Sequence, residues 1–288
     1  MECASADDFE QLLLKTNKTG RETKANFGVI DASGAAKFFE TGNHTFTKFD
    51  ANDPGNAPLG FIVRANFAMT AVDTNKSYGQ VRYNRANKLF EKFVNKNELN
   101  YQTILRFIAR DLVNEKTDPY PLPFKGQEDG KPKGFIRTYN SINRYRTASC
   151  AVFHGVLPDE NPLLTTMWVI LGEPICGVAV PLWVAAGDVP PAMDGEPTSL
   201  LNELIQKVEM KAYPDTSWKQ YVDTNVLLQK DGKGLFPKLM KSEDAIFRLT
   251  EKKLKTWGRS NPASGNVLKF EKEMTDETNI WLREILKK

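Results

Sequence analysis

Two apolar runs, residues 166–171 (TMWVIL) and 175–184 (ICGVAVPLWV), are separated only by Gly172-Glu173-Pro174. Neither alternates apolar with polar residues. Each therefore reads as a strand covered on both faces, and the three residues between them as a tight connection. A chain with such strands needs elements to cover them, and helical periodicity supplies candidates. Residues 81–95 set Leu89, Phe90 and Phe93 on one stripe; residues 101–113 do the same with Ile104, Leu105, Ile108 and Leu112. Segments 199–211, 242–257 and 270–286 are amphipathic as well, and their charged faces read as solvated.

The first fifty residues follow a different pattern. Ser5 ahead of Asp7, Asp8, Phe9, Leu12 and Leu13 predicts a capped helix to about Lys15. Segments 26–32 and 36–41, joined through Ser33-Gly34, predict a hairpin. Segments 45–50 and 58–68 predict a third and a fourth strand, the fourth carrying Arg64-Ala65-Asn66, and 149–156 a later one. Residues 118–133, rich in Pro, Gly and charge, read as a long surface loop. Strands, two helices, more strands and then more helices do not alternate as in a doubly wound sheet. The order predicts an α+β layered architecture.

Charge and cysteine usage remove several function classes. A net charge of +3 from 39 basic and 36 acidic residues argues against a dedicated nucleic-acid surface. The longest apolar stretch, 163–186, is broken by Gly172, Glu173, Pro174 and Pro181, so no membrane span is expected. The first residues lack a signal-peptide pattern, which leaves the compartment open; export would need a signal lying upstream. Cys3, Cys150 and Cys176 form no metal motif and no disulfide framework, and His44 and His154 are the only histidines. Neither a metal nor a cofactor is expected. On a strand, Cys150 and His154 would stand about 13 Å apart, too far for a dyad.

The stretch 135–154 (FIRTYNSINRYRTASCAVFH) bears most on chemistry. Arg137, Arg144 and Arg146 sit among Asn140, Ser141, Asn143 and Ser149, directly before an apolar strand. Fixed cationic and amide donors in such a loop suit an anionic substrate or a charge that develops during reaction.

Several segments together resemble one family. They are ANFGVIDA (25–32), FFETGN (38–43), VRANF (63–67), RYNRA (82–86), SINRYRTAS (141–149) and TTMW (165–168). In order and spacing they resemble the Ntn hydrolases related to penicillin acyl-coenzyme A acyltransferase and choloylglycine hydrolase, over most of residues 1–190. The resemblance implies an αββα layered sandwich for 1–190, with 191–288 as a helical extension packed on it. It also implies hydrolysis of a non-peptide linear amide, or acyl transfer, with a small-molecule amide as substrate. In that family the nucleophile is a Cys at the start of the mature chain, whose own amine accepts the proton.

Carried over by position, Asn66 matches the family's oxyanion-binding Asn, and Arg144 matches an Arg that braces the active site. Each also has a plainer reading: Asn66 as the cap of a strand end, Arg144 as the partner of a surface carboxylate. Arg64, Arg137 and Arg146 are candidates for binding a substrate carboxylate, whereas Arg82 and Arg85 read first as a solvated helix face. The nucleophile and the first strands are expected upstream of the Ser5 helix, because Cys3 matches only the run-in to it. Two expectations follow. Either the N-terminal strands are missing, with a Cys-initiated fragment or a second copy as partner, or the chain is a non-catalytic relative that holds a carboxylated ligand in an Arg-rich pocket.

Overall fold

The computed structural model describes residues 3–70, 78–157, 159–229, 233–258 and 260–287. With 43% helix and 14% strand in small antiparallel sheets, the chain is mixed helix and strand, compatible with the α+β class. It forms two compact units, Met1–Leu99 with Gly155–Pro162, and Asn100–His154 with Leu163–Lys288. Residue 190, the boundary that the resemblance implies, lies inside the second unit.

In the first unit, helix α1 (Ala6–Thr19) starts at Ser5, as predicted. The Ser5 hydroxyl accepts from Asp8 N, and the Asp8 carboxylate accepts from Ser5 N, a reciprocal capping box. Strands β1 (Ala25–Ile30), β2 (Ala36–Thr41) and β3 (Phe46–Asp50) form an antiparallel sheet in that order. Phe9 of α1 meets Phe27 and Phe39 edge-on at 5.5 and 5.3 Å, so a helix packed on three strands makes this core. Asp31, just past β1, accepts from Ala6 N at the start of α1. That bond and the Ser33 hydroxyl hold its carboxyl down at about 2.

The fourth strand expected over 58–68 is not formed; only Ala65 and Phe67 make an isolated bridge. Side chains of the sheet occupy backbone groups of this segment and of the two residues that follow it instead. Asn26 Nδ2 donates to the carbonyls of both Ala65 and Phe67, and the Glu40 carboxylate accepts from Met69 N and Thr70 N. Helix α2 (Gln80–Asn95) buries Leu89 and Phe93, two of the three apolar residues its periodicity selects.

In the second unit the helix predicted over 101–113 begins at Tyr101 but ends early. A short helix α3 (Tyr101–Thr103) runs into a π-turn, Ile104–Ile108. Two residues on, Arg110 turns fully inward. All five of its N–H donors are used: on the carbonyls of Leu105, Pro174 and Gly177 and on both Glu243 carboxylate oxygens. The strand predicted over 175–184 is shortened for the same reason. Pro174 and Gly177 give their carbonyls to Arg110, and Ala179 N donates to Glu243 Oε2. The run therefore starts as a 3-10 turn, Pro174–Cys176, and becomes strand β7 only over Val180–Leu182.

Strands β5 (Ser149–His154) and β6 (Thr166–Leu171) pair antiparallel, and β7 joins the far side of β6. A second pairing, β4 (Phe135–Arg137) with β8 (Tyr221–Asp223), had no signal in the sequence. Helices α4 (Leu200–Ala212), α5 (Thr224–Leu227), α6 (Leu235–Trp257) and α7 (Ser264–Lys287) complete the unit. Helix α7 packs on β7 and against α4 and α6, and Trp183, Trp257 and Phe270 interlock there.

Candidate functional site

The expected site residues divide between the units. Arg64 and Asn66 belong to the first, and Arg137, Arg144 and Arg146 to the second.

In the first unit, Asn66 is an exposed residue on a constrained strap. The Asn26 amide clamps the peptide carbonyls on either side of it, at 3.1 and 3.2 Å. Arg82 of α2 donates to Asn66 Oδ1 at 2.5 Å. Guanidinium is a donor only, so this bond fixes which end of the amide is which. The Nδ2 donor is turned away from Arg82, and among the described residues it donates to none. Gly79 makes the approach feasible. It stands at φ 102° ahead of α2, where a Cβ would come within 3.0 Å of Arg82 Nη2 and 3.3 Å of Asn66 N.

Asn66, Asn26, Thr41, Lys24 and Phe67 line an open pocket of about 510 Å³. Its lining combines the Asn66 amide, one lysine and the Phe67 ring. Such a set can hold an oxyanion or a carboxylate beside an apolar group.

Arg64 has another partner. Its Nε donates to Glu40 Oε1 at 2.6 Å, and its guanidinium lies 4.2 Å from the centre of the Phe49 ring. It braces the strap through Glu40 rather than facing the pocket lined by Asn66.

In the second unit Arg146 is exposed. Arg137 stacks on Tyr139 at 5.1 Å and has Glu115 at 3.8 Å. Arg144 is half-buried; its backbone closes a turn with Thr147. The neighbouring Ser141 and Asn143 point inward. Ser141 Oγ donates to Leu112 O, and Asn143 bridges Ile175 N and Glu173.

That bridge leads to a cluster which sequence reasoning did not select. Glu173, in the β6–β7 connection, is 3% exposed. Its Oε2 accepts from Tyr213 Oη at 2.6 Å and from Asn143 Nδ2 at 3.0 Å. Burial pushes the Glu173 carboxyl up to about 8 despite these donors, and the nearby Glu209 adds to the rise. Cys176 beside it is fully buried, and burial together with Glu173 and Glu209 drives its thiol well up. Burial also raises the Cys150 thiol. Neither thiol has the depressed pKa of an activated nucleophile. The one available signal for Glu173 was an acid inserted between two wholly apolar runs.

Among the described residues, no group of three or more His, Cys, Asp or Glu is placed to hold a metal ion. No helix among them is long and apolar enough to cross a membrane. No family model, curated protein or solved structure matches the chain.

Proposed function

We propose that this chain carries the oxyanion-binding side of an Ntn-type amide hydrolase or acyltransferase, within an αββα sandwich. The observation that carries the reading is the Arg82–Asn66 bond at 2.5 Å, which engages Oδ1 of a pocket-lining Asn66 and leaves its Nδ2 free to donate. A donor held in place before reaction spends no reorganisation on the charge that forms in the transition state. In this reading Asn66 binds the tetrahedral oxyanion of a linear amide, and Arg82 positions Asn66. Lys24 and Phe67 line the pocket that would receive the acyl portion.

A second reading is a non-catalytic relative that binds a carboxylated ligand through the same donors. It is favoured by burial at Cys150 and Cys176, which raises the pKa of both thiols and so disfavours the reactive thiolate.

A panel of N-acyl amides, assayed for amine release with the protein from its natural source, separates the two. Hydrolysis is expected, and Asn66→Ala lowers turnover by about two orders of magnitude. Wild-type turnover in that variant removes Asn66 from the chemistry. Saturable carboxylate binding that Asn66→Ala weakens, with no product, selects the second reading.

A further inference from the structure

Helix α6 carries Lys238, Lys241, Arg248, Lys252 and Lys255 at spacings of three, seven, four and three. At 100° per residue these five fall within about 100° of arc, a single stripe about 25 Å long. Residues three or four apart on a helix face each other, so like charges there repel. Two acids on the same helix have partners outside the stripe. Asp244 pairs with Arg106, and Glu251 accepts from Tyr101 Oη and Gln102 Nε2. Among the described residues none of the five cations is ion-paired.

The stripe borders a groove between α6 and α7 with a volume of about 350 Å³. Lys238, Lys241 and Arg248 line one side; half-buried Trp281 and Ala245 and buried Ile285 give it an apolar wall. Glu284 is the single acid in the lining, so the groove is cationic by two charges, three minus one. A shallower depression shares Arg248 and continues along Lys252 and Lys255, with Glu251 as its one acid. The volume lies at the small-molecule end of ligand sites, and the stripe would raise the local concentration of anions.

We propose that the α6–α7 groove is a binding site for an amphipathic organic anion. Its phosphate or carboxylate head lies on Lys238, Lys241 and Arg248, and its apolar body lies against Trp281. Lysine serves such a head as a point charge, while Arg248 can bind it through two donors. The Trp281 ring supplies area that a hydrated inorganic ion cannot use. The site does not depend on the Asn66 reading.

Titration calorimetry on the full chain tests it with three probes: hexyl phosphate, heptanoate and inorganic phosphate. Hexyl phosphate is expected to bind saturably and at least tenfold tighter than inorganic phosphate. Heptanoate binding as tightly as hexyl phosphate assigns the head group to carboxylates; weaker binding assigns it to phosphates. Lys241 and Arg248 are both exposed, so K241A/R248A leaves the fold in place. It should weaken hexyl phosphate at least tenfold. Trp281→Leu should weaken hexyl phosphate and spare inorganic phosphate. Equal affinity for the two phosphates, or unchanged affinity in the double variant, overturns the proposal and leaves a solvated cationic face.

Discussion

Each unit contains an arginine–carboxylate pair, part-buried in the first and fully buried in the second, and the pairs are built differently. In the first, Arg64 gives one N–H to Glu40 and another to its own Val63 carbonyl, and its planar group rests near Phe49. Glu40 also receives Met69 N, Thr70 N and the Thr70 hydroxyl. In the second, Arg110 and Glu243 are 1% and 0% exposed, and the arginine spends every donor. Glu40 would keep three donors if its arginine were lost. Glu243 would keep Ala179 N, with Arg106 Nε at 3.6 Å. The first pair secures a surface strap, whereas the second holds the π-turn, the β6–β7 connection and α6 together.

That contrast predicts unequal costs. Arg110→Met strands a buried carboxylate and three carbonyls and should destabilise by about 3–5 kcal/mol. Arg64→Met should cost about 1–2 kcal/mol, because Glu40 retains its other donors. All five tryptophans (Trp168, Trp183, Trp218, Trp257, Trp281) lie in the second unit, so their fluorescence in urea reports that unit. Far-UV circular dichroism follows both units. Equal costs for the two variants would break the comparison.

The units should also respond to pH with opposite sign. The Glu173 carboxyl is raised from an ordinary 4.5 to about 8 in the fold. Between those values the unfolded chain has lost a proton that the folded chain keeps, so stability falls as pH rises. This contribution is complete below pH 4.5 and gone above about 8, a change of roughly 5 kcal/mol for a shift from 4.5 to about 8. Glu173→Gln should make the fall of the urea midpoint between pH 5 and pH 9, read by tryptophan fluorescence, shallower; the remaining fall belongs to Glu271, which burial raises to about 7, and to Glu209, which burial also raises. In the first unit Asp31 is lowered from 3.8 to about 2. Its contribution is present above 3.8 and lost as pH falls through about 2, and Asp31→Asn should remove that acid sensitivity. A wild-type fluorescence midpoint that rises from pH 5 to pH 9 would contradict the assignment of Glu173.

Legibility in the sequence divides along local and non-local lines. The Ser5 cap, the hairpin through Ser33-Gly34, and β6 at its full predicted extent all rest on neighbours within a few residues. The pairing of β4 with β8 joins Ile136 to Val222, and no local pattern in three-residue strands announces it. The segments 58–68, 101–113 and 175–184 have the periodicity of regular elements. Each is redirected where polar side chains claim backbone groups: Asn26 and Glu40 in the first case, Arg110 in the second, Arg110 and Glu243 in the third. The site divides in the same way. Asn66 was marked by its segment, but Arg82, read as a solvated helix face, became its partner only through the strap that folds back to α2. Glu173 looked like part of a turn because its partners, Asn143 and Tyr213, are 30 and 40 residues away.

The smallest effect is expected where the sequence was most legible. Ser5→Ala removes the acceptor for Asp8 N and should cost about 1 kcal/mol, read as a lower urea midpoint in far-UV circular dichroism. Tryptophan fluorescence should not move, since the change lies in the unit without tryptophan. The same substitution bears on Asp8. The bond to Ser5 and the Ala4 N–H hold its carboxyl below the ordinary 3.8. With the hydroxyl gone, the Asp8 titration followed by NMR should move up toward that value. An unchanged titration would mean that the helix N-terminus, rather than the reciprocal cap, holds the carboxylate, and the capping box would then add little to α1.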